Sequence, residues 1–536
     1  MSADAWWKNG IVYQIYPRSF QDSDGDGIGD LRGIRKRLDY LVELGVDAVW
    51  ISPIYPSPMA DFGYDISDYC NIDPRFGTLE DFDALAAECK ARGLKLVLDF
   101  VPNHTSDQHP WFVQSRASRT SPKRDWYLWR DPAPGGGPPN NWLSNFGGPA
   151  WTFDEASGQY YGHSFLKEQP DLNWRNREVR EAMYEVLRFW LRRGVDGFRI
   201  DVLYHLIKDD QFRDNPPNPS FQPGQDPSHR LLALYTTDRP EMQDIVFEMR
   251  RVVDAFSSEA SARVLIGELY LPLERLMAYY GLTSEGLLQG VQLPFNFQLI
   301  AAPWHAAEID RIVRSYEAAL PHGAAPNWVL GNHDKPRIAS RVGQERARLA
   351  AMLLLTLRGT PTLYYGDEIG LTDVPIPPDE VQDPFEKNEP GKGLGRDPQR
   401  TPMQWSRAHM AGFTDGTPWL RLGGDWGMRN VEAQLADPAS MLQLYRKLIA
   451  LRRKEPALHE GTHEQLHAGD DVLAYARASG TRRLIVLLNF STSDTRIAAE
   501  LLPREVVVLA STHPERTGTV AGELVLQPLE GVIVAQ

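Results

Sequence analysis

This 536-residue chain has few cysteines, no long apolar run and no excess of basic residues, and each of these features excludes a class of protein. Two cysteines, Cys70 and Cys89, cannot build a disulfide framework, so we expect a reducing compartment, the cytoplasm. No run of about 18 apolar residues occurs and the opening MSADAWWKNG is no signal segment, so we expect no membrane anchor or membrane partner. Lys and Arg number 57 against 71 Asp and Glu, and the net charge of -14 argues against a nucleic acid partner.

Aromatic residues are plentiful by contrast. The chain has 15 Trp, 20 Tyr and 20 Phe in an otherwise ordinary globular composition, 42% hydrophobic and 24% charged. Some of these rings will pack in the core. The others are available to stack on flat, weakly polar ligand faces, those of sugars among them.

Short apolar runs alternate with amphipathic helical patterns, such as Thr78 to Gly93 and Arg177 to Gly194, through the first two thirds of the chain. Eight such runs predict a parallel (β/α)8 barrel of the TIM type, with a doubly wound open sheet, which usually has fewer strands, as the runner-up. The runs are IVYQIYP from Ile11, DAVWISP from Asp47, LKLVLDFVPNH from Leu94, GFRIDV from Gly197, RVLIGEL from Arg263, GVQLPF from Gly290, NWVLGNHD from Asn327 and GTPTLYYGDE from Gly359.

Some segments interrupt this alternation. Residues 105–173 are rich in Trp, Gly, Pro and Asn and are predicted to form a small domain inserted after the third strand. Proline-rich stretches at 213–227 and 373–405 are predicted to be functional loops. Alternating segments near the end predict an antiparallel β-domain. The predicted organisation is a barrel over 1–104 and 174–456, the inserted domain over 105–173 and a C-terminal β-domain over 457–536.

The run GFRIDV places Arg199 and Asp201 on one face of a strand and Phe198, Ile200 and Val202 on the other. Buried charges are costly unless they are paired. The pair is therefore either a structural ion pair or a carboxylate that Arg199 keeps ionised for chemistry.

Further polar side chains follow other predicted strands, at the end where barrel active sites lie. Asp201 follows strand four, Glu268 strand five and Asp334 strand seven, while His104 follows strand three and His333 precedes Asp334. Any one of them could be a cap or an ion-pair partner. Several carboxylates gathered at one rim repel one another, which indicates a functional reason for their convergence.

These acids, without a phosphate loop, a Ser–His arrangement or Cys–His zinc spacing, indicate glycoside hydrolysis. That reaction needs one carboxylate to attack and one carboxylic acid to protonate the leaving oxygen. Asp201 beside Arg199 should stay ionised and suits the nucleophile. Glu268 has apolar sequence neighbours that should raise its pKa, and it suits the acid/base. A separation of about 5 to 5.5 Å would give retention through a covalent glycosyl-enzyme.

The motifs DFVPNH, GFRIDV, GEL and GNHD, in this order, resemble four ordered motifs of the α-amylase family, glycoside hydrolase family 13, and QPDLN resembles its fifth. YQIYPRSF, GYDISDY and TPMQW are similar to its α-glucosidase and oligo-1,6-glucosidase branch. The resemblance covers essentially the whole chain and implies the same architecture. It implies Asp201 as nucleophile, Glu268 as acid/base and Asp334 as a third carboxylate that binds sugar hydroxyls.

The resemblance also implies the contacts around these acids. Arg199, His104 and His333 match the family's sugar and nucleophile contacts, and Tyr64 matches its stacking tyrosine.

Four further residues concern the glucose pocket. Asp61 and Arg400 match a charge pair that holds the 4-hydroxyl of the terminal glucose in exo-acting relatives, with a surface salt bridge as the alternative. Phe146 and Phe165 resemble aromatic residues that wall this pocket, with core packing as the alternative.

The stretch DSDGDGIGD follows an EF-hand loop through its ninth position, with Asp22, Asp24, Asp26, Asp30 and the Ile28 carbonyl as candidate ligands. The twelfth position is glycine rather than Glu, so the loop is not an EF-hand. Similar loops in the resembling branch bind a structural Ca2+ or Mg2+, and a plain acidic turn is the alternative. No organic cofactor is expected.

We therefore predict a cytoplasmic, retaining, exo-acting α-glucosidase for short α-glucosides. A transglucosylase or isomerase directed at trehalose or sucrose is the alternative, because only the acceptor differs. A catalytically inactive, membrane-anchored interaction protein is the alternative from another class, and the three carboxylates argue against it. In this branch Val202 goes with α-1,6 bonds, yet His205 stands where many oligo-1,6-glucosidases have Asn, so the linkage stays open.

Overall fold

A computed structural model describes residues 5–258, 261–469 and 471–535. The strands are β1 (Val12–Ile15), β2 (Ala48–Ile51), β3 (Lys95–Phe100), β4 (Trp129–Arg130), β5 (Trp151–Asp154), β6 (Gln159–Gly162), β7 (Gly197–Ile200), β8 (Val264–Gly267), β9 (Leu293–Asn296), β10 (Asn327–Val329), β11 (Thr360–Tyr364), β12 (Thr462–Ala468), β13 (Val472–Ser479), β14 (Arg482–Asn489), β15 (Thr495–Arg496), β16 (Glu505–Ser511), β17 (Gly518–Ala521), β18 (Val525–Leu526) and β19 (Gly531–Ala535).

The α-helices are α1 (Trp6–Asn9), α2 (Pro17–Phe20), α3 (Leu31–Lys36), α4 (Leu38–Leu44), α5 (Leu79–Ala91), α6 (Pro110–Ala117), α7 (Arg177–Arg192), α8 (Met242–Asp254), α9 (Leu273–Ala278), α10 (Gln298–Ala301), α11 (Ala306–Ala319), α12 (Ile338–Val342), α13 (Gln344–Thr356), α14 (Pro384–Asn388), α15 (Val431–Ala436), α16 (Met441–Lys454) and α17 (Pro456–His459). None of the helices in the described ranges is both long and apolar enough to span a membrane.

Parallel strands close into a barrel in the order β1, β11, β10, β9, β8, β7, β3, β2. Val12 of β1 pairs with Ala48 of β2 on one side and with Thr362 of β11 on the other, and these two pairings close the ring. The predicted (β/α)8 barrel is confirmed, and each of the predicted apolar runs overlaps one of its strands.

The two quoted helical patterns form α5 and α7, and their first turns show why. The Thr78 side chain accepts from the Asp81 N–H, and the Asp81 carboxylate accepts from the Thr78 N–H, so a capping box starts α5. Asn176 caps α7, which buries an apolar face that includes Met183 and Trp190 against the barrel core.

The segment between β3 and α7 forms the predicted inserted subdomain, with a small antiparallel sheet in the order β4, β6, β5. Phe112 packs on the rings of Trp129 and Tyr161, with centroid distances of 5.8 and 5.2 Å. An antiparallel bridge between His104 and Asp171 joins the start of this segment to its end. The insertion therefore leaves and rejoins the barrel beside the C-terminal end of β3.

The C-terminal region forms the predicted antiparallel sheet, in the order β12, β13, β14, β19, β16, β17. Arg477 of β13 is buried and donates to the carbonyl oxygens of Thr356, Leu458 and Gly461 at 2.5, 2.9 and 2.8 Å. Because Thr356 ends α13, this arginine ties the sheet to the barrel helices.

Candidate active site

One buried arginine and three carboxylates meet at the C-terminal ends of β3, β7 and β8. Arg199 Nη1 lies 2.8 Å from Asp99 Oδ1 and 2.8 Å from Asp201 Oδ1, and its Nη2 lies 2.5 Å from Glu268 Oε2. The register pairs Asp99 with Arg199, and β8 lies on the other side of β7. The face that carries Arg199 and Asp201 therefore meets acids from both neighbouring strands, of which the sequence analysis had not singled out Asp99.

Two expectations about this cluster are wrong. Strand β7 ends at Ile200, and Val202 takes a left-handed conformation with φ of 35°, so Val202 does not continue the alternation. This turn lets the Val202 N–H donate to Glu268 Oε2 at 2.9 Å. Glu268 therefore binds a guanidinium and an N–H group instead of having the apolar surroundings that we expected.

The cluster holds three carboxyl groups around one guanidinium. Burial raises the pKa of Asp201 well above its ordinary value; Arg199 opposes that rise and Glu268 adds to it. Burial also raises the pKa of Asp99 to about 6, against the effect of Arg199. Arg199 is thus shared among the acids rather than reserved for Asp201, and the cluster as a whole favours keeping a proton.

Asp334 lies beyond β10 and faces two arginines. Its Oδ1 is 2.8 Å from Arg400 Nη2 and 3.3 Å from Arg396 Nη1, and its Oδ2 is 3.3 Å from His333 Nε2. Burial alone would raise the pKa of this carboxyl, but the Arg396 and Arg400 guanidinium groups hold it well below its usual range. With 23% of its side chain exposed, an ionised Asp334 can accept hydrogen bonds from a ligand.

Tyr64 and the two predicted histidines surround the acids. Tyr64 Oη lies 2.7 Å from His333 Nε2 and donates to Asp99 Oδ2 at 3.1 Å. His104 Nε2 lies 3.1 Å from both the Tyr64 carbonyl oxygen and Gln169 Nε2. Burial lowers the pKa of His104 to about 4 and that of His333 well below its ordinary value, so both imidazoles are neutral at pH 7.

Asp61 is paired, but not with the arginine that we predicted. Its Oδ1 lies 2.7 Å from Arg396 Nη2, and the same Nη2 lies 2.6 Å from the buried Asp383. Arg400 instead donates its Nε–H to the His333 carbonyl oxygen at 2.8 Å, besides contacting Asp334. Arg396 was missed, although it lies in the predicted loop 373–405, in the stretch GRDPQR that also contains Arg400.

The two predicted pocket phenylalanines lie next to these groups. The Arg396 guanidinium is 4.8 Å from the Phe146 ring centroid, and Phe146 packs edge-on against Phe165 at 5.6 Å. Phe165 is half-buried, with its ring 5.3 Å from His104 and 5.5 Å from His205. Both rings therefore contact site residues, while contact with a sugar stays a prediction.

The acidic loop after α2 brings three of its carboxylates together. Oxygens of Asp22, Asp24 and Asp30 all lie within 4.8 Å of one another. Asp26 is outside this group, and its Oδ1 accepts from the Ile28 N–H at 2.7 Å. Closely spaced carboxylate oxygens are the donors that a hard divalent cation prefers, so the loop fits such an ion.

Comparison with known proteins agrees with this geometry. Residues 14–461 match the family model described as alpha amylase, catalytic domain. A probable alpha-glucosidase from Rhizobium meliloti (strain 1021) is 43% identical over 502 residues, which cover 91% of this chain and 89% of the relative. An oligo-1,6-glucosidase from Parageobacillus thermoglucosidasius is 39% identical over 566 residues, which cover 98% of each chain.

A solved structure has the same fold throughout. The crystal structure of an alpha-glucosyl transfer enzyme superposes with a TM-score of 0.92 at 39% identity, covering 99% of each chain. The matched region includes the barrel, the insertion and the strand-end carboxylates described above. The chain therefore belongs to the α-amylase family of glycoside hydrolases, in its α-glucosidase branch.

Proposed function

We propose that the protein is a retaining, exo-acting α-glucosidase that releases glucose from the non-reducing end of short α-glucosides. The observation that carries this proposal is the shared contact of Asp201 and Glu268 with Arg199. A common anchor holds two carboxyl groups from adjacent strands close enough to act on one glycosidic bond. Relatives named alpha-glucosidase and oligo-1,6-glucosidase support the choice of substrate class.

In the first step, an Asp201 carboxylate oxygen attacks the anomeric carbon of the terminal glucose. The bond from that carbon to the glycosidic oxygen breaks, and Glu268 gives its proton to this oxygen, so the rest of the substrate leaves as an alcohol. This step needs Asp201 ionised and Glu268 protonated. The Val202 N–H and Arg199 orient the Glu268 carboxyl.

In the second step, Glu268 takes a proton from water, whose oxygen attacks the anomeric carbon and displaces Asp201. Two inversions give net retention. Asp334 accepts hydrogen bonds from the sugar hydroxyls. Because His104 and His333 are neutral, they do not oppose the positive charge that develops on the sugar ring.

We predict that Glu268→Gln slows substrates with poor leaving groups most, because an activated aryl α-glucoside needs little acid assistance in the first step. Added azide should restore turnover by attacking the glycosyl-enzyme without a general base. The measurement is the rate on aryl and alkyl α-glucosides with and without azide, and NMR should identify the product as the α-glucosyl azide.

Asp201→Asn is the matched control, because it prevents the glycosyl-enzyme from forming. Its activity should fall by on the order of 10^4-fold on all substrates, without α-azide product. Asp196→Asn, at the opposite end of β7, should keep its activity. Equal losses on every leaving group for Glu268→Gln, or a near-normal rate for folded Asp201→Asn, would contradict the assigned roles.

Exo-action follows from the second charge cluster. Arg396 contacts Asp61, Asp334 and Asp383, while its guanidinium lies against Phe146. Loops after three barrel strands and the insertion therefore meet at one residue. We propose that Asp61, with Arg396 and Arg400, binds the 4-hydroxyl of the terminal glucose and closes that end of the pocket to longer chains.

Glucose should accordingly be the sole early product from maltoheptaose, and starch should be a negligible substrate. Arg396→Met should weaken substrate binding by about 1.5 to 3 kcal/mol for each charge-assisted bond lost, and kcat should also fall because the anomeric carbon is displaced. Chromatography of early products and kinetics on maltose provide the test. The exposed Arg421→Met serves as the control, and early maltose or maltotriose from the unmodified protein would refute the closed pocket.

We further propose that residues Asp22, Asp24 and Asp30 hold one structural divalent cation, Ca2+ or Mg2+, with Asp26 and the Ile28 carbonyl as candidate further ligands. A cation would offset the repulsion among the grouped carboxylates. Because it would bind the folded state alone, it would stabilise that state by mass action.

Chelation should therefore lower the melting temperature, and added Ca2+ or Mg2+ should restore it. Asp24→Asn should abolish this response, while Asp83→Asn, an exposed aspartate on α5, should leave it intact. Differential scanning calorimetry and metal analysis by mass spectrometry measure both effects. A melting curve that does not respond to chelation, in protein without bound metal, would exclude the site.

Transfer of glucose to a sugar hydroxyl is the second candidate function, favoured by the similarity to an alpha-glucosyl transfer enzyme. A panel of maltose, isomaltose, sucrose, trehalose and maltotriose, followed by NMR, separates the two. We expect free glucose as the main product, initially as the α anomer. New or isomerised disaccharides as main products would favour the transferase or isomerase. The cytoplasmic location stays a prediction.

A further inference from the structure

The loop that carries Asp61 has a strained backbone. Met59 and Phe62, on either side of Asp61, have φ of 65° and 46°, in the left-handed region that disfavours residues with a Cβ. Asp65 holds part of this loop by accepting from the N–H groups of Ala60 and Asp61 at 2.8 and 2.9 Å. Such strain persists only where the surroundings impose the conformation.

Arg18 contacts both strained residues. Its guanidinium lies 5.2 Å from the Phe62 ring centroid, and its Nη1 lies 3.7 Å from Met59 Sδ. The same guanidinium lies 4.6 Å from the ring centroid of Trp419, and the Phe62 and Trp419 centroids are 5.3 Å apart. Arg18 thus lies where the loop meets a side chain from the distant C-terminal part of the barrel region.

Two hydrogen bonds hold the Trp419 ring against which Arg18 packs. Its backbone N–H donates to the Gly27 carbonyl oxygen at 3.0 Å, and its Nε1–H donates to Ser19 Oγ at 3.0 Å. The tryptophan is therefore held on two sides by the segment that follows β1. A loop that packs against it through Arg18 acquires the rigidity of the barrel.

The surroundings of Arg18 are unusual for a buried cation. It is 8% exposed, and no carboxylate among the described residues lies within ion-pair distance of it. Burial lowers its pKa from the ordinary value. A buried charge without an ion-pair partner is unfavourable unless other contacts compensate it, and here those contacts are two aromatic rings and a thioether.

We propose that Arg18 is a positioning residue. It packs between the loop 59–62 and Trp419 and thereby holds Asp61 against Arg396 in the glucose pocket. The inference rests on the proposed role of Asp61. Arg18 itself would not touch the sugar. By fixing Asp61, it would determine how tightly the terminal glucose binds and how strictly cleavage is confined to the end of a sugar chain.

Arg18→Met tests this, because it keeps the side-chain length and removes the charge and the planar guanidinium. We expect KM for maltose to rise by about tenfold, as for loss of one desolvated cation–π contact, with a smaller fall in kcat. Maltose should appear among the early products from maltoheptaose. Arg18→Lys, which keeps a cation near the rings, should recover part of the KM effect.

Arg37→Met is the matched control, since Arg37 also lies over a tryptophan, 4.1 Å from the Trp405 ring centroid, and its Nε–H donates to Gln21 Oε1 at 2.7 Å rather than to the loop 59–62. It should lower the melting temperature without changing KM or the products. If Arg18→Met lowered only the melting temperature, like Arg37→Met, a positioning role would be excluded. Circular dichroism verifies that each variant is folded at the assay temperature.

A double-mutant cycle with Asp61→Asn distinguishes this inference from the function on which it rests. If Arg18 acts through Asp61, Arg18→Met should add nothing to the KM of the Asp61→Asn variant. Additive effects would overturn the inference. If Asp61→Asn alone leaves KM and products unchanged, the clamp itself is refuted, whereas a large Asp61→Asn effect beside a silent Arg18→Met refutes only the role of Arg18.

Discussion

The buried guanidinium of Arg199 is the interaction on which the catalytic rim depends. Asp99, Asp201 and Glu268 would repel one another strongly in the barrel interior without it. One positive charge does not neutralise three carboxylates, so the cluster tends to hold a proton while it keeps ionised groups beside it. A retaining glycosidase needs one charged and one protonated carboxyl group close together, and carboxyl groups gathered around a single arginine can share charge in this way.

A second cluster at the same rim is centred on Arg396 and shapes the pocket. Arg396 joins Asp61, Asp334 and Asp383 and packs on Phe146, so it connects loops after β2, β10 and β11 with the inserted subdomain. The first centre is built on adjacent strands of a closed sheet, and the second on loops. Chemistry thus rests on the rigid part of the barrel, whereas the shape of the pocket rests on segments that can vary.

Backbone strain is found beside both centres. Val202 takes a left-handed conformation that aims its N–H at Glu268, and Met59 and Phe62 take similar conformations around Asp61. β-Branched and aromatic residues do not adopt this region without support. At these positions tertiary packing overrides the backbone preferences of the residues and imposes a specific geometry, which is common at functional sites.

The sequence by itself determined the barrel, because eight apolar runs of strand length alternate with capped amphipathic helices, and it located Asp201, Glu268 and Asp334 through their places at strand ends. Only the tertiary structure decided how the charges are shared. That Asp99 joins Arg199 depends on the register between β3 and β7, and that Arg396 rather than Arg400 binds Asp61 depends on the path of the loop 373–405. Neither is encoded in a local pattern, because ion pairing depends on distances of a few ångströms between segments far apart in the chain, and those distances exist only once the barrel has closed.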